Sequence, residues 1–402
     1  MPSIVIFREP EAEYISSQIR SDLASRDWSV RVESFAGRIS ASVDPIVLAI
    51  VPEDVSYHSV VFPRIAQLSQ SSENIIVVLP VGVRLPDEMY DGRLRGVVSS
   101  GAEPYDRVFE DIFRSLVGDV PDWLDMRIRP SQIFRPTGVT WWTEDVFVAD
   151  ERYEHVVRIG PNDSTVILPG LFEPHHIHLD RRTLFVANKS ANEVLTCQLT
   201  DDMATDVQSV TKALDIGLAK PHDVQSRHFR IAIADTDNQR ILVANSSNSL
   251  SSPKWIAMQP SKPFSGPCGL YVEATGLWIA DTFNHRLVHF NAEGNQDLEW
   301  GNRGTQQGEF SYPVGVHVYK HFLLVAEEEN ERVQVLRIER DEAENSLSLS
   351  SVGFLAENWI GQPFGISINR ENRLAVADRK QKCVWIINLP EALEAGSGLS
   401  SL

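Results

Sequence analysis

Six times in the C-terminal two-thirds of the chain a short apolar run opens on a proline, at Pro136, Pro174, Pro221, Pro267, Pro313 and Pro363. A spacing of roughly 40 to 50 residues is that of repeat architectures built from β-blades. The copy at Pro267 is the fullest. Pro-Cys-Gly-Leu-Tyr-Val-Glu leads to a turn at Thr275 and Gly276, then to Leu-Trp-Ile-Ala-Asp, and after a polar loop to Arg-Leu-Val-His-Phe. Alternating runs of this length read as strands, so each copy is a three-stranded meander. Every middle strand closes on a small residue and an acid or amide: Ala149-Asp150, Ala187-Asn188, Ala234-Asp235, Ala280-Asp281, Ala326-Glu327 and Ala377-Asp378. A carboxylate there can accept backbone N–H groups of the turn or a nearby arginine such as Arg240, Arg286 or Arg332. Because the feature repeats in every copy, it reads as a hairpin clamp and not as a set of active-site acids.

The phrase resembles the NHL repeat, in which Pro-x-Gly and an alternating strand are followed by Ala-Asp and then by Asn-x-Arg. Gly269, Asp281, Asn284 and Arg286 carry the likeness in the fourth copy. It covers about residues 134–389 and implies an all-β, six-bladed β-propeller over 134–390 with a central channel. Residues 391–402 read as a flexible tail, the polar stretches 199–206 and 337–346 as surface loops inserted before the third and sixth blades, and 207–214 as a candidate outer strand. The segment after Asn388 makes a poor strand, so the outer strand of the last blade must come from elsewhere. Met126 and Ile128 alternate within the linker 119–133, which makes 126–129 the candidate closing strand.

Residues 1–118 have a different texture. Apolar runs at Ile4-Val5-Ile6-Phe7, 46–51 and 75–79 are separated by helical patterns such as Ile15, Ile19 and Leu23. Unbroken runs of this kind suit parallel strands covered on both faces. The order resembles a TIR domain, and more loosely a flavodoxin-like one. The whole chain is therefore expected to be multidomain: a three-layer α/β TIR-like domain followed by the propeller. TIR domains that cleave NAD place a glutamate shortly after the serine opening the third helix. Here Ser56 and Ser59 are followed by Val60-Val61-Phe62-Pro63-Arg64-Ile65, so the resemblance carries a self-association role and no catalytic residue.

The net charge of −18 and the lack of a dense Lys/Arg run argue against nucleic acid as a partner. No apolar run of about 18 residues is present, which leaves no membrane span. The N-terminus reads as a strand and not a signal peptide, giving a cytoplasmic expectation. Cys197, Cys268 and Cys383 are too few and too scattered for a disulfide framework.

Differences between blades matter more than their common features. The residues after the six prolines are Thr137, His175, His222, Cys268, Val314 and Phe364. Equivalent positions form a ring at one mouth of a propeller channel, which makes these the candidate ligand-binding residues. His175, His222 and Cys268 come from consecutive blades and are zinc-type ligands. Pro-His at this place also resembles the amidating lyases of peptide hormone processing, NHL propellers that hold zinc with such histidines. Strict alternation would turn His176, His178 and Asp223 away from the ring. Most tryptophans read as filler between blades.

The leading expectation is a non-enzymatic interaction or signalling protein without a cofactor. Its propeller binds a protein or peptide at the channel mouth, and its TIR-like domain mediates signalling or homo-oligomerisation. The alternatives are a zinc-dependent lyase or hydrolase at His175, His222 and Cys268, and a TIR-type NAD-cleaving effector.

Overall fold

The computed structural model describes residues 121–128 and 132–395 except 161–162, 201–202, 212–216, 246–254, 342–345 and 357–358, together with N-terminal segments named below and isolated helical positions between them. Two compact units divide the chain: Met1–Pro121 with Ile128–Ser131, and Asp122–Arg127 with Gln132–Leu402.

In the first unit, β1 (Ser3–Arg8), β2 (Ser29–Ser34), β3 (Ile46–Ile50), β4 (Ile75–Leu79) and β5 (Gly96–Ser99) form one sheet in the order β2-β1-β3-β4-β5. Every pairing is parallel. All five residues of β4 are buried, as expected for an apolar strand inside a sheet covered on both faces. Helix α1 (Glu13–Ala24) buries Ile19 and Leu23 completely. Ser56, Ser59, Pro63 and Arg64 lie outside the described residues.

The second unit is a six-bladed β-propeller. Its six sheets each have four strands, and in each the strand opening on proline is at one edge. In the fourth blade the strands are Pro267–Glu273, Gly276–Asp281, Arg286–Asn291 and Gln296–Trp300. The proline strands stand innermost, side by side. A Cβ added to Gly138 would collide with the backbone of His175, and one on Gly269 with that of Val314. Gly315 approaches Phe364 in the same way, and Gly365 approaches Thr137, so the sixth blade meets the first. Glycine at these four seams lets two inner strands touch directly.

Between blades the core is apolar and falls into clusters shared by neighbouring blades. One cluster joins Phe147 and Val156 of the first blade to Leu184 and Val186 of the second; another joins Ala377 and Val384 of the sixth to Val148 and Val157 of the first. Trp278 and Trp385 are among the largest fully buried side chains, in the filler role expected of them.

The outer strand of the sixth blade is β6 (Leu124–Ile128), which precedes all the other blade strands in sequence. Asn388 N donates to Trp123 O at 2.8 Å where it joins the blade. Leu124 and Met126 are buried.

Three local expectations need correction. The start of the tail is a helix, α2 (Leu389–Ala395), with Pro390 in the first turn where its missing N–H costs nothing; Leu389 and Ala392 are buried, and 396–402 lie outside the described residues. The polar stretch 337–346 is not a surface loop throughout, because Arg332–Asp341 pairs with Ser346–Leu355 as far as Asp341 and Ser346, a long hairpin. In the second blade the outer strand is Ala204–Ser209, starting earlier than its apolar residues suggest.

Candidate functional site on the channel axis

At the mouth where the inner strands begin, here called the proline face, the six ring residues converge. Five are buried and His222 is partly buried. They fill the axis rather than line an open hole. The His175 ring lies 4.1 Å from that of His222 and 4.7 Å, edge-on, from that of Phe364. Thr137 Oγ1 donates to Pro174 O at 2.9 Å, tying the first blade to the second.

The ligand atoms of His175, His222 and Cys268 all lie within 4.8 Å of one another, a constellation able to hold a metal ion. Burial holds His175 neutral, pushing its pKa well below the ordinary 6.5, with the His222 and His176 rings adding to the effect. Burial likewise brings His222 down to about 3. Neutral imidazoles are what ligation requires. The Cys268 thiol is pushed well above its usual range, first by burial and then by Asp223 and Glu328, so an ion would have to displace its proton. Arg379 and Lys189 add positive potential at the histidines.

The inner strands do not alternate strictly at their start. In all six blades the register shifts within the first residues after the proline, as between Pro174 and Ile177 or between Pro221 and Asp223. Such a bulge leaves two consecutive side chains near the axis. His176 and Asp223 are therefore not turned away. Each occupies the position that is glycine in the other four blades and bridges its seam with a side chain. His176 Nδ1 lies 3.2 Å from His222 O, and Asp223 Oδ2 accepts from Leu270 N at 2.8 Å.

Asp223 is raised to about 7 by burial, against the opposing effect of its backbone hydrogen bonds. Beside it, His176 lines a cavity of about 20 Å³, room for one water, and its Nε2 has no hydrogen-bond partner. His178, further along the strand, is brought down to about 3 by burial, with Nε2 2.9 Å from Ser226 O.

A second ring escaped the sequence reading. The residues just after the clamps are Glu151, Lys189, Thr236, Thr282, Glu328 and Arg379. Thr236 and Thr282 each donate to the opening proline of the next blade, at 2.7 Å. The other four are charged and form a collar over the ring. Glu151 meets Arg379 at 2.6 Å, Lys189 at 3.1 Å and Arg135 at 3.1 Å, while Arg379 also meets Glu328 at 3.1 Å. The Arg379 guanidinium sits 3.7 Å over the Phe364 ring. The available signal was register: one step past each clamp, charge replaces threonine in four blades of six.

The clamps match their sequence reading. Asp281 accepts from Ser265 N at 2.7 Å, Asn284 Nδ2 at 2.8 Å and Arg286 Nε at 2.7 Å. Asp235 and Glu327 make corresponding bonds to Arg240 and Arg332, both at 2.6 Å. In the first blade Asp150 has no such arginine and takes four backbone N–H groups, from Phe134, Arg135, Arg152 and Tyr153.

No family model matches the chain, and no curated protein does. Solved structures do match part of the chain. The streptogramin B lyase structure is 11% identical with a TM-score of 0.46, and the match covers 67% of this chain and 99% of that one. A structure of the nidogen/laminin complex is 16% identical with a TM-score of 0.46, covering 58% and 84%. A luciferin-regenerating enzyme is 11% identical with a TM-score of 0.41, covering 63% and 91%. Identities this low carry no residue's role from those chains to this one. Among the described residues no helix is long and apolar enough to cross a membrane.

Proposed function

We propose that the protein is a non-enzymatic binding module whose propeller takes a protein or peptide ligand on the proline face. The observation that carries this is the aromatic rim left uncovered there. Phe172 is 58% and Phe283 56% exposed, and Tyr153 and Phe134 are 40% and 37% exposed. Phe134, Tyr153 and Phe172 are fixed by backbone bonds to the clamps, at 2.7 to 2.8 Å. Aromatic side chains and arginine are the residues enriched at interface cores. The collar of Glu151, Lys189, Glu328 and Arg379 adds both signs of charge inside that rim, which favours one docking register over others. The ring residues form the floor, so the contact expected at the ring moves outward to the rim.

Panning a random peptide display library on the full-length protein tests this. Enriched peptides should bind the Phe172→Ala/Phe283→Ala variant at least about tenfold more weakly, with an unchanged melting temperature. Equal binding by the variant, or no enrichment, would sink the proposal. For the N-terminal unit, the order β2-β1-β3-β4-β5 is that of flavodoxin-like folds. It supports the TIR-like reading of residues 1–118 and with it self-association through that domain, which light scattering across protein concentrations would reveal.

A second reading rests on the 4.8 Å grouping of His175, His222 and Cys268. These residues would hold a zinc-type ion with coordination positions left open, and such an ion lowers the pKa of a bound water. That is the starting point for lyase or hydrolase chemistry. Elemental analysis of the protein after dialysis against zinc, with His175→Ala/His222→Ala as control, separates the readings. Zinc retained by the double variant, or by neither protein, removes the metal site.

A further inference from the structure

The opposite mouth of the channel, where the inner strands end, is open. A cavity of about 720 Å³ lies there, bordered by the first, second and sixth blades and Arg227 of the third. Its size falls within the range of about 300–1,000 Å³ typical of small-molecule sites. It shares Thr140, His178, Arg227 and Ser367 with the water-sized cavity beside His176 and Asp223, so it narrows inward along the axis.

Its charge is unusual for a chain carrying −18. Arg181, Arg227 and Arg370 border it, and none of them forms an ion pair among the described residues. Arg227 donates to Tyr271 Oη at 2.8 Å and stands 4.9 Å over that ring, which fixes the guanidinium without neutralising it. Neither of the wall's two carboxylates forms an ion pair with these arginines. Asp180 accepts from Ser226 Oγ at 3.2 Å, and Glu371 lies 3.7 Å from Arg373. Arg227 also depresses His178 and His317, though less than burial does, so its positive potential reaches the inner end of the cavity. Trp142 and Leu179 supply apolar wall.

A concave, partly apolar cavity with unneutralised guanidiniums is suited to an oxyanion, which arginine holds through paired N–H donors. We propose that this mouth is a binding site for a small organic anion. Its carboxylate or phosphate group is held by Arg227, with Arg181 and Arg370 at the rim, and its carbon skeleton lies against Trp142 and Leu179. The site is separate from the aromatic rim, at the other end of the channel.

Titration of the full-length protein with citrate and with glycerol 3-phosphate, followed by calorimetry and tryptophan fluorescence, is the test, with glucose as the uncharged control. At least one anion should saturate, its affinity should fall with added salt, and glucose should not bind. The tighter of the two identifies the carboxylate or the phosphate as the recognised group. Arg227→Gln should weaken binding at least about tenfold. Arg181→Gln/Arg370→Gln, at exposed positions that leave the fold intact, should weaken it several-fold, while Phe172→Ala should leave it unchanged. No saturable binding of either anion at millimolar concentration, or an affinity undiminished in both the Arg227 and the Arg181/Arg370 variants, overturns the proposal.

Discussion

Asp281 is fully buried, and the cation that faces it, Arg286, is nearly so. Removing one member of such a pair strands the other charge in a low-dielectric interior, at a cost of about 3–5 kcal/mol. Arg286→Met should therefore lower the free energy of unfolding by about 3 kcal/mol or more, read by urea titration. A loss below about 1 kcal/mol, the value of a surface pair, would contradict the burial argument.

The axial histidines make a pH prediction. His178 and His222 are held near 3 and His176 near 4, against an ordinary 6.5. Below 6.5 the unfolded chain takes up protons that the folded chain refuses, so stability falls as pH falls, by up to about 1.4 kcal/mol per unit for each such group. Asp223, raised to about 7, works in the opposite sense between its ordinary 3.8 and 7. His178→Gln should lose stability less steeply than wild type between pH 6.5 and 4.5, and parallel curves would refute this. At this scale the clamps and the ring were legible because each repeats in register. His176 and Asp223 were not, because a bulge that admits two neighbouring side chains to the axis leaves no mark on an alternating pattern.

Among the described strands of the propeller, β6 is the one whose sequence position differs from its place in the fold. Its alternation was visible, and so was the missing partner of Cys383–Asn388, because 389–395 cannot extend a blade. The boundaries were less clear, since Leu124 lies outside the segment suggested by Met126 and Ile128. Met126 is completely buried, and Met126→Asp places a charge at a position closed to water. That substitution should lower the melting temperature by several degrees, since a ~1 kcal/mol change moves a domain above 150 residues by about 2–4 °C. The exposed change Asp163→Asn, at the outer edge of the first blade, should leave it in place. Equal melting temperatures for both would mean that the sixth blade does not need its fourth strand. Outer strands were the least legible elements throughout. Ala204–Ser209 has no buried position, so it lacks the apolar alternation by which a strand is recognised.

For the molecule as a whole, the blade number could be read from six prolines because every unit must stack on the next. The contrast between its two mouths could not, since it depends on side chains from separate blades meeting in space. That contrast predicts independence: Phe172→Ala/Phe283→Ala should abolish peptide capture while leaving anion titration at the other mouth unchanged, and loss of both would mean that the substitutions damage the fold. Closure of the ring also sets an order of events in time. Synthesis delivers Leu124–Ile128 before any other part of the propeller, yet its partner Cys383–Asn388 emerges only about 250 residues later. At about 5–20 residues per second, the first strand waits on the order of 10–50 s with its hydrogen-bonding edge unmatched. A nascent chain stalled anywhere short of the sixth blade therefore holds an open arc, and closure of the circle follows translation of its last strand.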